Sequence, residues 1–332
     1  MSIQPSQPSF PLRVSVIIPT FNRAEVLKVA LDALRRQSLD PALYEIIVAD
    51  DGSADSTADV VRAAAQAGPV AITYSFDDNR GANAARNRAL RLARGWVSVI
   101  INDDTIAVPT FLSTHLALHE ANPEDPFAVL GRMTISPEVP WSVFADLHLD
   151  ASFKPLKDGE DVGWKGFFTC NLSVKTGFLL TRGMFEERLR WHEDIELGRR
   201  LDANGLKVIY CAAALGLHLH HLREKDYLGV AEREGKALAE WYLKNQAIAS
   251  ELGALGFHPA APVNKRIQYL LADAVINPVS YPWLVRLARR VTRHSPEMAQ
   301  ALYCKLYQAR KRRATRWALA AAGQRKRICH EE

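Results

Sequence analysis

Over its first hundred residues this chain alternates between two hydrophobic periods, and that alternation restricts its fold more than any other feature. Residues 13–18 are a β-branched run ended by Pro19, and residues 25–36 then set Val26, Val29, Ala30, Ala33 and Leu34 at helical spacing. Further buried-type strands are predicted at 45–49, 70–74 and 96–101, with helices at 57–67 and 83–93 between them. Asp55 or Ser56 can cap the second helix, and Gly68-Pro69 stops it. Near-continuous apolar strands alternating with helices imply an α/β fold whose mostly parallel sheet is covered on both faces. Right-handed crossovers place the loops after parallel strands along one edge. Asn22, Asp50-Asp51, Asn79 and Asp103-Asp104 all fall on that edge.

The remainder is less regular. A helix at 109–121 and a strand at 127–135 precede a loop-rich stretch, 137–166, that carries Trp141 and Trp164. A short strand at 172–174, a turn or short helix at 181–187, a helix at 193–204 and a strand at 207–212 follow. Beyond His221 the pattern is helical almost to the end. A chain of 332 residues suits one large domain with an appendage or two modest ones. Residues 1–11 are polar and proline-bearing, which predicts a short disordered leader without a signal-peptide segment. The four cysteines form no CxxC pair, which disfavours a disulfide framework or zinc ribbon and fits a reducing cytoplasm. From Leu284 onward there are 13 Lys and Arg against 3 Asp and Glu, so a basic tail follows a mildly acidic body.

Asp103-Asp104 stands just beyond the fourth predicted strand. Adjacent carboxylates there repel one another unless a cation intervenes, and Mg²⁺ or Mn²⁺ prefers such oxygens and bridges to phosphates. The pair therefore points to a metal–diphosphate site at the C-terminal edge of the sheet. In Asp50-Asp51-Gly52-Ser53 the glycine can take the positive φ of a tight turn, while a carboxylate accepts from a base N–H or a ribose hydroxyl. An Asx turn that merely starts the next helix is the competing reading. Arg86 suits a phosphate clamp or an exposed helix position. Glu193-Asp194 opens a helix, either as a cap or as a catalytic pair. Three histidines within His218-Leu219-His220-His221 point to an anion or metal contact.

In order, the chain shows residues 14–23, Asp50-Asp51-Gly52-Ser53, Asn79-Arg80-Gly81 with Ala85-Arg86-Asn87, and Asn102-Asp103-Asp104. Gly183-Met184-Phe185-Glu186-Glu187 follows, then Glu193-Asp194 with Leu197-Gly198-Arg199-Arg200-Leu201 and Gly205. Together these segments resemble the family 2 glycosyltransferases, nucleotide-sugar-dependent inverting enzymes of GT-A fold, from Val14 to about His221. The resemblance implies a GT-A catalytic domain at 12–222, with a donor half at 12–108 and an acceptor half at 109–222, and a basic helical region at 223–332. It implies that Asp51 accepts from the uracil of a UDP-sugar, with Thr20, Phe21 and Asn22 in the base pocket and Asn79 and Arg86 beside the donor. Asp103 would hold ribose or share the metal, and Asp104 with His218 would bind Mn²⁺ or Mg²⁺. Family members often carry three acids in a row where this chain begins with Asn102, so Asn102 takes a hydrogen-bonding role. Asp194 would be the general base and Glu193 its orienting partner.

The expected activity is transfer of a hexose or N-acetylhexosamine to a hydroxyl of a glycan or lipid-linked acceptor, as in polysaccharide biosynthesis. Trp164, Trp141 and His220 are acceptor-binding candidates, the two tryptophans with Phe168 as an aromatic platform. In the tail, Leu284, Leu287, Ala288 and Val291 share a helical face among arginines. This reads either as an element seeking an anionic membrane, hence a cytoplasmic protein peripheral on the inner face, or as a packed helical subdomain. No nucleic-acid recognition motif accompanies the basic charge. A sugar-phosphate nucleotidyltransferase would need a glycine-rich basic loop where Pro19-Thr20-Phe21-Asn22 stands, and a non-catalytic sugar-nucleotide-binding subunit would not need Asp104, Asp194 and His218 together.

Overall fold

The computed structural model describes residues 10–328, so most of the expected leader, and Cys329, lie outside the described residues. The chain divides into two compact units: residues up to Val139 with Ser152–Arg188 and Glu193–His220, and Pro140–Ala151 with Leu189–His192 and the chain from His221 onward. The second unit takes up the chain from His221. Two internal segments, however, belong with the helical unit.

The first unit is built on an eight-stranded sheet in the order β3-β2-β1-β4-β7-β6-β8-β5. Its strands are β1 (Leu12–Thr20), β2 (Tyr44–Asp50), β3 (Ala71–Phe76), β4 (Gly95–Ile101), β5 (Thr105–Ala107), β6 (Phe127–Ile135), β7 (Asn171–Lys175) and β8 (Lys207–His218). Strands β1 to β4 are mutually parallel, as the alternation predicted. β7 runs antiparallel to both β4 and β6, β6 pairs parallel with β8, and β5 is antiparallel to β8. Thr20 is level with Asp50, and Asp50 with Phe76, so the loops after β1, β2 and β3 leave the sheet side by side. Because β2 and β3 extend to one side of β1 and β4 lies on the other, the crevice between β1 and β4 is a topological switch point, where open α/β sheets take their ligands.

Helices α1 (Ala24–Leu34), α2 (Thr57–Gln66), α3 (Ala82–Leu92) and α4 (Phe111–Ala121) connect or cover these strands. Val14, Val16, Ile18, Ile46, Val48, Val97 and Val99 form one core with Leu27, Leu31 and Leu34 of α1 and Phe111 of α4. Asp55 accepts from the Thr57 amide at 3.1 Å, the side-chain contact that starts α2. Behind β7, His115 of α4 bonds Ser173 (2.8 Å) and Asn171 (3.0 Å), and Asn171 donates to the Ala214 carbonyl of β8. This satisfied polar column clamps β7 to β8. Helices α5 (Thr176–Arg182) and α6 (Glu193–Asp202) complete the unit.

Two local differences from the sequence reading matter for the site. The strand expected to stop at residue 212 continues to His218, through a small-residue stretch that pairs with β6 and β5. His218 is therefore the last residue of a strand rather than part of a loop. The expected turn or short helix at 181–187 is instead the end of α5, after which Gly183 turns the chain at φ 138°.

The second unit is helical, with α7 (Glu224–Lys244), α8 (Val263–Val275), α9 (Tyr281–Thr292) and α10 (Pro296–Ile328) as its main elements. Its core joins Tyr227, Leu228, Val285, Ala288, Tyr303 and Leu306 to Val143 from the internal segment, with Phe144 packed against them. Gly235 of α7 allows α10 to approach closely, since a Cβ there would lie 2.3 Å from the Lys311 carbonyl oxygen. The face expected to seek lipid turns mostly inward: Ala288 is buried, Leu284 and Val291 pack on this core, and Leu287 stays exposed. No described helix is long and apolar enough to cross a membrane.

Candidate active site

The loops after β1, β2 and β4 enclose a cavity of about 310 Å³ lined by Thr20, Phe21, Arg23, Asp51, Arg86, Asn102 and Asp103. Asn22 turns the chain after β1 in the left-handed region (φ 51°), and its side chain accepts from the Ala54 amide while its own amide donates to Ser53. This cross-link holds the first two loops together. Asp50 is spent on structure, accepting from the Ser53 amide and the Tyr74 hydroxyl. Asp51 accepts from the Arg80 and Gly81 amides at 2.8 to 3.0 Å, which ties the β2 loop to the start of α3. A carboxylate has about four lone-pair positions, so Asp51 retains accepting capacity. Gly52, at φ 91°, packs so near Asn79 that a Cβ would lie 2.9 Å from the Asn79 nitrogen. Asn79 itself is exposed.

Beyond β4, both aspartates are buried, at 4% and 5% exposure. Asp103 accepts from Thr20 Oγ1 at 2.8 Å, closing the crevice between β1 and β4. The Arg23 guanidinium spans the pair, 2.8 Å from Asp103 Oδ1 and 2.8 Å from Asp104 Oδ2. Burial pushes the Asp103 carboxyl up to about 6 against the pull of Arg23. Burial opposes ionisation of Asp104 as well, but His218 and Arg23 outweigh it and hold that carboxyl below its ordinary value. His218 Nε2 stands 3.4 Å from Asp104 Oδ2, brought there because its strand end pairs with Thr105. The Leu219 amide also donates to the Asp104 carbonyl at 2.9 Å. Burial lowers His218, which favours the neutral imidazole that ligates metals. Its ring lies edge-on to His220 at 5.9 Å.

Asp104 Oδ1 and His218 Nδ1 are buried without a hydrogen-bond partner. Orphaned groups of this kind are costly unless something meets them. A hard or borderline divalent cation is met well by one carboxylate and one imidazole when diphosphate oxygens supply further donors. The described residues hold no cluster of three or more His, Cys, Asp or Glu donors, so a cation held here would need further donors from a ligand.

The Thr169–Cys170 segment links this corner to the head of α6. Thr105 Oγ1, next to Asp104, donates to the Cys170 carbonyl (3.4 Å), and the Thr169 amide donates to Asp194 Oδ2 (3.3 Å). Burial and the carboxylates of Asp194 and Asp104 together push the Cys170 thiol up to about 12. Asp104 and Asp194 therefore flank the same two residues. Burial, and then Glu193, push the Asp194 carboxyl up to about 7. Arg86 is buried rather than exposed: its Nη1 donates to Asn83 and, at 2.9 Å, to Glu193 Oε1, and Phe185 packs on its guanidinium. It joins the cavity wall to the helix carrying Asp194, and its Nε remains buried and unpartnered.

The expected platform is not gathered in one unit. Trp164 sits in a short 3₁₀ turn of the first unit with the Lys165 ammonium 5.5 Å from its ring centroid. Phe168 packs edge-on against Phe153. Trp141 lies in the helical unit, 60% exposed, its indole donating to Asp146. Sequence reasoning gave no role to Arg23. The signal was present, since two adjacent buried acids require a counter-cation and Arg23 follows the loop that meets them.

Residues 15–172 match the model of glycosyl transferase family 2. The chain is 31% identical over 244 residues to validoxylamine A glucosyltransferase of Streptomyces hygroscopicus subsp. limoneus, covering 64% of this chain and 53% of that protein. It is 29% identical over 184 residues to the GalNAc(5)-diNAcBac-PP-undecaprenol beta-1,3-glucosyltransferase of Campylobacter jejuni, covering 55% of each. The chain thus spans about half the length of these relatives. Among solved structures, it superposes on the mannosyltransferase PcManGT from Pyrobaculum calidifontis in complex with GDP-Man and Mn²⁺ with a TM-score of 0.60 at 21% identity, over 91% of this chain and 87% of that one. For S. aureus TarS 1-349 in complex with UDP the TM-score is 0.52 at 18% identity, over 94% and 92% of the two chains. The fold is GT-A, with additional C-terminal helices, and residues 15–172 are similar to glycosyl transferase family 2.

Proposed function

We propose that this chain is an inverting glycosyltransferase that moves a hexose or N-acetylhexosamine from a UDP-sugar to a hydroxyl of a glycan or lipid-linked acceptor. One observation carries the reading: Asp104, with a free buried oxygen beside a cavity at the sheet's switch point, and Asp194, a part-buried carboxyl at a helix start, flank the same Thr169–Cys170 segment. Relatives and neighbours named for glucosyl or mannosyl transfer, or solved with GDP-Man or UDP, support it.

Asp51, with Thr20, Phe21 and Asn22, receives the nucleoside, while Asn79 borders that loop and Asp103 holds the ribose. Asp104 and His218 would hold Mn²⁺ or Mg²⁺, which when bound neutralises charge on the leaving diphosphate. Asp194 accepts the proton of the acceptor hydroxyl as that oxygen bonds to the anomeric carbon and the bond from that carbon to diphosphate oxygen breaks on the opposite face. Arg86 orients Glu193, and Glu193 in turn raises the basicity of Asp194. His220 and Trp164 border the acceptor's approach in this reading. Catalysis at the cytoplasmic face of a membrane suits a lipid-linked acceptor.

The test is transfer and donor hydrolysis with UDP-sugars, with and without Mn²⁺. Asp194→Asn should lower kcat by about 10²- to 10⁴-fold while the donor dissociation constant stays within about twofold. Asp104→Ala should abolish the metal-dependent part of UDP binding by calorimetry. Turnover that survives Asp104→Ala, or parallel losses of kcat and donor affinity in Asp194→Asn, would contradict the proposal.

A further inference from the structure

We propose that the α8–α9 segment of the helical unit rests on an anionic lipid surface, its exposed apolar side chains against the acyl boundary and its basic side chains on the headgroups. The inference concerns a surface outside the candidate active site and does not rest on the catalytic reading.

Helix α8 is built inside out. None of its residues is buried, although Val263, Ile267, Leu270, Leu271 and Val275 recur at helical spacing on one side. These five are between 53% and 71% exposed. The polar side is what anchors the helix: Asp273 is held by Arg312 and Arg316 of α10, each at 2.6 Å, and the Arg312 guanidinium also covers the Tyr269 ring. An amphipathic helix in a water-soluble unit normally buries the opposite side. Further along the chain Val279, Trp283 and Leu287 are also 80%, 67% and 48% exposed. Eight of the 18 exposed large hydrophobic residues in the described chain therefore fall between positions 263 and 287. Singly scattered apolar side chains need no partner, but eight exposed within 25 consecutive positions call for one.

Charge selects the partner. From 263 to 293 the chain carries six Lys and Arg (Lys265, Arg266, Arg286, Arg289, Arg290, Arg293) and one acid, Asp273, which is already engaged. Arg289 is paired with Glu224, leaving Lys265, Arg266, Arg286, Arg290 and Arg293 as an exposed basic rim along the same segment. A second copy docked face to face would set this rim against itself, because a two-fold interface meets its own residues. Anionic headgroups complement it instead, and Trp283 under Arg286 is the residue pair suited to the boundary between water and lipid. With 13 residues in α8 and 12 in α9, neither helix can span a bilayer, so the segment lies in the interface.

The experiment is co-sedimentation of the full chain with vesicles of phosphatidylcholine alone or with about one third phosphatidylglycerol, at low and high salt, without donor. Binding at least tenfold stronger to the anionic vesicles, weakened by salt, is expected. The double variant Ile267→Glu, Leu271→Glu alters only exposed side chains and should lose most of that binding while keeping the wild-type circular dichroism. Brominated lipid should quench tryptophan emission in the wild type, with the quenched fraction reduced in Trp283→Phe. Equal binding to neutral vesicles, no binding at all, or a concentration-dependent dimer dissolved by the double variant in the absence of vesicle binding would each overturn the proposal. Because no donor or acceptor is present, none of these results bears on catalysis, and loss of transfer in Asp194→Asn would leave vesicle binding unchanged.

Discussion

At the scale of single residues, the protonation of Asp194 sets a measurable consequence. The general base proposed for Asp194 must be ionised, and burial beside Glu193 lifts this carboxyl to about 7. Below that pH the group carries a proton and cannot accept another, so kcat/KM should climb with pH and level off above about 7. Residual activity of Asp194→Asn should lack this limb in the same pH–rate measurement. Arg23 yields a second prediction. Its guanidinium supplies the positive charge that the buried Asp103 and Asp104 need when no other cation is present. Arg23→Gln should melt earlier than wild type without metal and gain more from Mn²⁺ in a thermal-shift assay, because the ion then supplies missing charge. Asp51, Asp103-Asp104 and Glu193-Asp194 stood out in the sequence as candidates, because polar groups at strand ends and helix starts interrupt a strong apolar period. The burial of Arg86 and its bond to Glu193 were not, since 107 positions separate the partners and no local pattern encodes the meeting.

At the scale of elements, the tight turn after β2 is a fixed component of the site. Gly52→Ala would place a methyl 2.9 Å from the Asn79 nitrogen and impose φ 91° on a residue with a Cβ. It should cost about 1–3 kcal/mol in urea unfolding and weaken UDP binding in calorimetry, because the loop bearing Asp51 must shift. The four parallel strands and their helices were readable because each carries its own period over five or more residues. β5 was not, since three residues hold no period, and it is a strand by virtue of pairing with β8. The extension of β8 through Ala212, Ala213 and Gly216 was equally hidden, because small residues favour no strand until neighbours on both sides supply hydrogen bonds. That extension brings His218 to Asp104.

At the scale of the whole molecule, the helical unit depends on a segment far from it in sequence. Phe144 packs on Tyr227 and Tyr303, at centroid separations of 5.8 and 4.8 Å, and Val143 is buried in the same core. A fragment of residues 221–332 should therefore lose cooperative melting by circular dichroism, and Phe144→Ala in the intact chain should cost about 2–3 kcal/mol in urea unfolding. Periodicity alone determined that the first hundred residues form a parallel sheet with polar clusters along one edge, because each strand and helix is specified by neighbours within a few positions. The order of motifs along the chain carried the family resemblance. Only the folded chain decided that Arg23 covers both aspartates, that Arg86 reaches Glu193, and that α8 turns its apolar side outward. Each of these is a contact, or a missing one, between segments dozens of residues apart, where topology and burial choose the partner and local spacing carries no trace of it.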